Sequence, residues 1–241
     1  MSEIQKHDHL LIETPPEVIG FAATRSFGAG FRVLPRNREN HAELLERQWR
    51  AIWAKHDEEE SKISPIVAVP AKEGIYVHFE GAPDYNLKID SLEDKRQGII
   101  LLNSTTKENH ASDGTHEVEN AVVYVPNSKR NSFLKKIERY MQSELSAKGA
   151  YKNQRLMESI EAIKYAFWDT MWTGREEDRP EEVPVWCEAW IRNDKRTVYE
   201  QNAEKVITFF DLCSKLNIEH KDSILFFPER NVCLIKANAA Q

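Results

Sequence analysis

Apolar residues fall at every second position in GIYVHFEG, where Ile75, Val77 and Phe79 alternate with Tyr76, His78 and Glu80. That is the period of a half-buried strand, because successive side chains leave opposite faces of the pleat. IILLNSTT (Ile99 to Thr106) and ENAVVYVP (Glu119 to Pro126) predict two more strands, separated by a polar turn holding Ser112-Asp113-Gly114. A short helix is expected between the first and second strands. The period then changes: Phe133, Leu134, Ile137, Tyr140 and Met141 form one apolar stripe against Lys135, Lys136, Glu138 and Arg139, the pattern of an amphipathic helix. The β-α-β-β-α order over Gly74 to Met141 is most of a split β-α-β, ferredoxin-like unit.

Upstream, Leu44, Leu45, Gln48, Trp49, Ile52 and Trp53 give one face of a helix from Arg38 to His56. Asn40 is its expected cap, and the run Asp57-Glu58-Glu59-Glu60 is expected to end it in solvent. Downstream, Gln142 to Asn153 reads as a linker or a frayed helix end. Leu156, Ile160, Ile163, Phe167 and Met171 then predict a long helix from Gln154 to Trp172, packed against a sheet. Gly174 to Pro184 reads as an exposed connection between two lobes.

Beyond that connection Val185, Cys187, Ala189 and Ile191 alternate with Trp186, Glu188, Trp190 and Arg192, a strand with one apolar face and one lined by large aromatics. A helix from Val198 to Leu216 carries Val206, Phe210 and Cys213, and strands Ile224 to Phe227 and Val232 to Ala237 bracket a hairpin turn at Pro228-Glu229-Arg230-Asn231. The β-α-β-β order of the first half recurs in brief. The expected fold is α+β, with two ferredoxin-like lobes built on antiparallel-rich sheets. Residues 1–148 hold the 74–141 unit, and residues 149–241 hold a helix followed by the second unit over 185–237.

Composition narrows the function classes. The chain has 241 residues, 41% hydrophobic and 30% charged, with a formal net charge of -6, as expected of a globular protein rather than a disordered one. The acidic balance opposes general nucleic-acid affinity, which needs a surplus of Lys and Arg on one face. The AVVYVP strand offers only Tyr124 where a ferredoxin-like RNA platform needs several aromatics. Cys187, Cys213 and Cys233 are odd in number and lack Cys-x-x-Cys spacing, so structural thiols in a reducing compartment are expected rather than a zinc site. No apolar run approaches ~18 residues and the polar start is not a signal peptide. The expectation is a cytoplasmic chain with no membrane partner and no cofactor or metal.

Catalytic patterns are missing. None of the eight histidines stands beside a G-x-S-x-G elbow, and the tightest titratable cluster, His110, Asp113 and His116, falls in the polar turn between two strands. The most idiosyncratic stretch is Gly28 to Arg38. Its two glycines permit close backbone approach, and Arg32, Arg36 and Arg38 carry donors suited to carboxylate or phosphate. Its G-x-G lacks the strand-turn-helix context of a phosphate cradle, so docking to a partner or to the chain itself is the favoured use, with an anion site as the alternative. The candidate partner-binding residues are Arg32, Arg36, Arg38, Trp186, Trp190 and Lys236.

SFGAGFRVLPRNRENH (Ser26 to His41), SLEDKRQGIILLN (Ser91 to Asn103), VPNSKRNSFLKKIERY (Val125 to Tyr140) and FFPERNVCLIKAN (Phe226 to Asn238) together resemble the N-terminal region of a group of large bacterial subtilisin-like serine peptidases. The resemblance implies a region that precedes the catalytic domain in the same polypeptide. It also implies a possible neighbouring AAA-type ATPase, in systems linked to phage defence or plasmid maintenance. It does not bring an active site: Asp113-Gly114-Thr115-His116 mimics part of one subtilase motif with Asp113 where the catalytic His belongs, and the other two motifs are absent. The end at Ala239-Ala240-Gln241, directly after an apolar strand, is what a cut in a longer polypeptide would leave. The implied role is a non-catalytic propeptide-like inhibitor, folding template or substrate-recognition module, with Lys236 to Gln241 approaching the protease cleft. The alternatives are an adaptor that docks the ATPase through Gly28–Arg38, and an independent small-molecule or anion-binding protein.

Overall fold

The computed structural model describes residues 36–62, 73–111, 114–143, 145, 149–172, 174, 176–193, 199–228 and 230–238. They form an α+β protein with two antiparallel sheets and divide at Gly174 into two compact units.

The first unit contains α1 (Arg38–Lys62), β1 (Gly74–Gly81), α2 (Ile89–Leu92), β2 (Ile100–Ala111), β3 (Gly114–Pro126), α3 (Arg130–Gln142), α4 (Gln154–Glu158), β4 (Ile160–Tyr165) and α5 (Trp168–Met171). Its strands lie in the order β2-β3-β1-β4, each antiparallel to its neighbour. The alternation over β1 works as its period requires: Ile75, Val77 and Phe79 are buried, and they meet Ala121, Val123 and Val125 of β3 in one apolar core. Trp49 and Trp53 of α1 and Phe133 and Ile137 of α3 fill that core from the helical side. Trp49 stacks on Phe133 at 4.8 Å between ring centroids, and its indole N–H donates to the Arg130 carbonyl at 2.9 Å, so a large buried aromatic also satisfies its one polar atom. Gly81 sits where a Cβ would come within 2.7 Å of the Glu119 carbonyl oxygen, so the β1–β3 approach there requires glycine.

The expected long helix over Gln154 to Trp172 is not formed. One turn of α4 is followed by a strand and then by the short α5. The segment instead pairs with β1 through a β-bulge: Ala162 pairs with Glu80 and Ile160 with Gly81, which leaves Glu161 as an extra residue. Ile160 and Ile163, three apart, are thereby both buried in the core, the spacing that a helix would also give. Because β4 completes the first sheet, the boundary between units is at Gly174 and not at residue 148. Residues 151–153 are no linker either. Lys152 N–H donates to Ser143 Oγ at 2.9 Å, and Asn153 Nδ2 donates to the Lys136 carbonyl at 3.1 Å, fixing this stretch to α3.

Two details of α1 also differ from expectation. Its cap is Asn37, whose Oδ1 accepts from Asn40 N–H at 3.0 Å, while Asn40 itself lies within the helix. The acidic run does not end it, because Arg130 pairs with Asp57 at 2.8 Å and Lys55 with Glu59 four residues on at 3.8 Å. The helix runs to Lys62.

The second unit holds β5 (Val185–Arg192), α6 (Tyr199–Lys215), β6 (Glu219–Phe226) and β7 (Arg230–Ala237), with strand order β5-β7-β6. Its core is small: Cys213, Ile218 and Ala237 are buried together with Phe209 and Ile235 packed against them. Asn193 holds the end of β5 to the β6–β7 turn, donating from Nδ2 to the Phe227 carbonyl at 2.9 Å and to Asn231 Oδ1 at 3.1 Å.

A fragment spanning residues 27–173 should therefore unfold cooperatively on its own, whereas one ending at residue 148 should lose the cooperative transition with β4. Thermal unfolding followed by circular dichroism distinguishes them. In the whole chain, Ile163→Ala should cost about 2–5 kcal/mol, read from chemical denaturation.

Candidate protein-docking site

Strand β5 is flanked by β7 alone among the described residues, so its side chains partition cleanly between two faces. Cys187, Ala189 and Ile191 share a face with Cys233, Ile235 and Ala237 of β7, the face against which α6 builds the small core. Trp186, Glu188, Trp190 and Arg192 take the other face, opposite Lys236, Leu234, Val232 and Arg230 respectively. Trp186 is 40% exposed and Trp190 is 55% exposed, unusual for the largest apolar side chain. Each ring has a cation over it: Lys221 Nζ lies 5.2 Å from the Trp186 ring and the Arg230 guanidinium 4.7 Å from that of Trp190. Trp190 Nε1 donates to Glu188 Oε2 at 2.8 Å, and Lys236 pairs with Glu219 at 3.6 Å. Val232, opposite Trp190, is only 4% exposed. The result is an open sheet face of aromatic and aliphatic groups bordered by charge, the composition of a protein interface core with its rim.

The arginines of the other candidate segment are placed differently. Arg32 and residues 28–35 lie outside the described residues. Arg36 turns into the first unit, where its guanidinium donates to Glu161 at 2.8 Å, meets His41 Nε2 at 2.9 Å and reaches the Ile160 carbonyl at 3.4 Å. Arg38 donates to the carbonyls of Tyr140 at 2.8 Å and Ser143 at 3.3 Å, and lies 3.9 Å above the Tyr151 ring. Both donor sets are thus engaged within the fold, the intramolecular form of the docking expected of this segment. The physical reason is that these helix-end and strand-end carbonyls need donors, and a planar guanidinium supplies several at once.

Around Arg36 lies a group that the sequence pattern did not single out. His41, Tyr140 and Glu158 are at least nine-tenths buried, and His41 Nδ1, Tyr140 OH and Glu158 Oε2 have no hydrogen-bond partner among the described residues. Arg36 bears on all three, and Glu158 bears on Tyr140. Burial first, then the Glu158 carboxyl, pushes the Tyr140 hydroxyl up to about 12. Burial raises Glu158 against the opposing Gln154 hydrogen bond and Arg36, and burial followed by Arg36 lowers His41. These residues come from α1, α3 and α4 and are distant in sequence, so only the tertiary fold could reveal them. Likewise Lys221 and Arg230 join the docking face through strand pairing, which no local pattern encodes.

The outer face of the first sheet is partly closed. Ala166 N–H donates to the Tyr76 carbonyl, and the Met171 carbonyl lies 3.5 Å from Asn103 Nδ2 on the opposite edge strand, so the α5 segment crosses the sheet. Val122, on that outer face, is 1% exposed. His116, of the turn cluster, pairs with Asp84 at 2.6 Å, and no group of three potential metal ligands is found among the described residues. No helix of the described residues is long and apolar enough to cross a membrane.

Buried His41 and half-buried His78 make stability pH-dependent. Both His41 and His78 are lowered, chiefly by burial, so each contributes stability that is present above about pH 6.5 and lost as pH falls through the folded-state value. Thermal melting should drop between about pH 7.5 and about pH 5, and His41→Gln should flatten that slope. Glu158 has the opposite sign: its raised folded value costs stability as pH rises, so Glu158→Gln should melt at the same or a higher temperature at pH about 8. Compared with known proteins, the chain matches no family model, no curated protein and no solved structure.

Proposed function

We propose that this chain is a non-catalytic protein-recognition module that docks a globular partner through the tryptophan face of its second sheet. The observation that carries this reading is the pair Trp186 and Trp190, exposed on the face of β5 opposite to Cys187, Ala189 and Ile191. Tryptophans bordered by cations and carboxylates are the anchors that dominate binding energy in protein interfaces, and a solvent-facing pair has no role in holding the small core. The partner is the subtilisin-like catalytic domain that follows such a region in the polypeptides whose phrases this chain resembles. The strand orders β2-β3-β1-β4 and β6-β7-β5 support taking both units as split β-α-β, ferredoxin-like lobes, the topology associated with subtilase propeptides. Fold alone carries no function, so the weight rests on the face.

On this reading the module inhibits or templates the protease, or presents its substrates. The ATPase-adaptor alternative loses support, since Arg36 and Arg38 are occupied within the first unit.

The test adds the chain in trans to the isolated catalytic domain and measures binding and peptide hydrolysis. Trp186→Ala and Trp190→Ala should each weaken binding by about 2 kcal/mol or more. Melting should move by less than about 1 kcal/mol equivalent, because exposed side chains contribute little to folding. Undiminished hydrolysis with no detectable binding overturns the proposal. Lost binding accompanied by lost folding would instead make the tryptophans structural.

A further inference from the structure

Three side chains of the first unit are each anchored through one polar atom or ring contact and carry a second polar atom that nothing meets. Gln154 accepts from Tyr151 N–H at 2.9 Å and donates to Glu158 Oε1 at 2.7 Å, which fixes the carboxyl group and leaves Oε2 over. His41 Nε2 lies 2.9 Å from Arg36 NH1 and 3.0 Å from the Ile160 carbonyl, so the imidazole is held by that nitrogen and Nδ1 is left over. Tyr140 meets His41 edge-on at 6.4 Å between ring centroids, and its hydroxyl is left over. None of the three atoms has a hydrogen-bond partner among the described residues, and Tyr140, Glu158 and His41 are only 0%, 4% and 6% exposed, so bulk solvent does not serve them. All three are gathered near one guanidinium, since Arg36 acts electrostatically on each and Glu158 acts on Tyr140. Buried polar atoms are almost always hydrogen-bonded, and those without a protein partner are the usual ligands of internal water.

We propose that the first unit binds one internal water molecule among His41 Nδ1, Tyr140 OH and Glu158 Oε2, joining α1, α3 and α4. The chemistry of the three groups selects this occupant. A Glu158 carboxylate oxygen only accepts, whereas the Tyr140 hydroxyl both donates and accepts. His41 is pulled both ways: Arg36, always a donor, calls for the tautomer protonated at Nδ1, and the Ile160 carbonyl calls for the one protonated at Nε2. The partner of Nδ1 must therefore be able to accept from it or donate to it. Water does all of this at once, accepting from the Tyr140 hydroxyl, donating to Glu158 Oε2 and keeping a lone pair or a proton for His41, within the two to four partners that an internal water takes. Charge disfavours an ion, because Arg36 stands near the group to repel a cation and the Glu158 carboxylate repels an anion. The three atoms are closed to solvent, which favours the smallest molecule that both donates and accepts. Helix α4 is only five residues long, so a bridge from Glu158 to α3 and α1 is a substantial part of what holds it in place.

The sign of one substitution separates a bridged hydroxyl from an orphaned one. Tyr140→Phe in the full chain removes the hydroxyl and little else. If that hydroxyl holds the water, the variant should melt about 2–4 °C below the parent; if it has no partner, its removal relieves a buried penalty and melting stays level or rises. A high-resolution crystal structure of the full chain should show one water within about 3.2 Å of all three atoms. In solution, nuclear Overhauser transfer from water should reach ring protons of His41 and Tyr140, which bulk solvent does not touch. A Tyr140→Phe melting temperature equal to or above that of the parent overturns the proposal. So does a crystal in which Tyr140 bonds Glu158 directly, or in which an ion or protein groups meet the three atoms. The parent crystal decides the matter even if the variant fails to fold. These measurements involve neither the protease nor the tryptophan face, so their outcome is independent of partner docking.

Discussion

Backbone hydrogen-bonding groups at the margins of a sheet must find donors and acceptors, and the first unit is arranged around meeting that requirement at β4. Ile160 and Ile163 present main-chain groups away from β1, and Arg36, His41 and Gln48 meet them from α1 and its entry. This fixes how α1 lies along the sheet. Its apolar face then brings Trp49 and Trp53 over β1 and against α3, so the largest side chains of the core owe their position to a polar constraint. The same arrangement concentrates His41, Tyr140 and Glu158 behind Arg36, where three polar atoms are buried without partners among the described residues. A buried polar group of this kind costs free energy, and the fold retains it where α1, α3 and α4 converge.

Strands that alternate cleanly were legible from their residues. β1 matches GIYVHFEG end to end, and the apolar and aromatic faces of β5 separate as its period requires. β4 was not legible, because a bulged strand buries residues three apart and so imitates a helix; only the need of β1 for a second partner decides between them. The arginines show the same limit in the site. Residue type gave their chemistry correctly, as donors for oxygen acceptors, but whether those acceptors belong to a partner or to the chain's own carbonyls is decided by tertiary placement. The tryptophans of β5 were readable because exposure follows from strand parity once the opposite face is apolar. Their cationic neighbours Lys221 and Arg230 were not, since they arrive by pairing and turn geometry.

Tryptophan is used in two physically separate ways. Trp49 and Trp53 are 1% exposed and hold a core together through stacked and edge-on ring contacts, whereas Trp186 and Trp190 carry their cations in solvent. The environments imply different emission: the buried pair should fluoresce at shorter wavelength and resist aqueous quenchers, the β5 pair at longer wavelength and yield to them.

Asp84 has an effect larger than its size. Strands β2 and β3 pair from Ser104 opposite Ala121 out to Ala111 opposite Gly114, well past the last β1 partner at Asn120, and the residues there are largely polar. With Val118 the one buried apolar residue of β3 beyond Asn120, such strands have little apolar surface to fix their register against a one-residue slide. Asp84, at a φ of 55°, exchanges main-chain and side-chain hydrogen bonds with Glu117 and holds His116 through its other oxygen. A slip of β3 would break all of these at once. One carboxylate beyond the end of β1 thus acts as the registration pin for a projecting ribbon in which hydrophobic burial is confined to Val118.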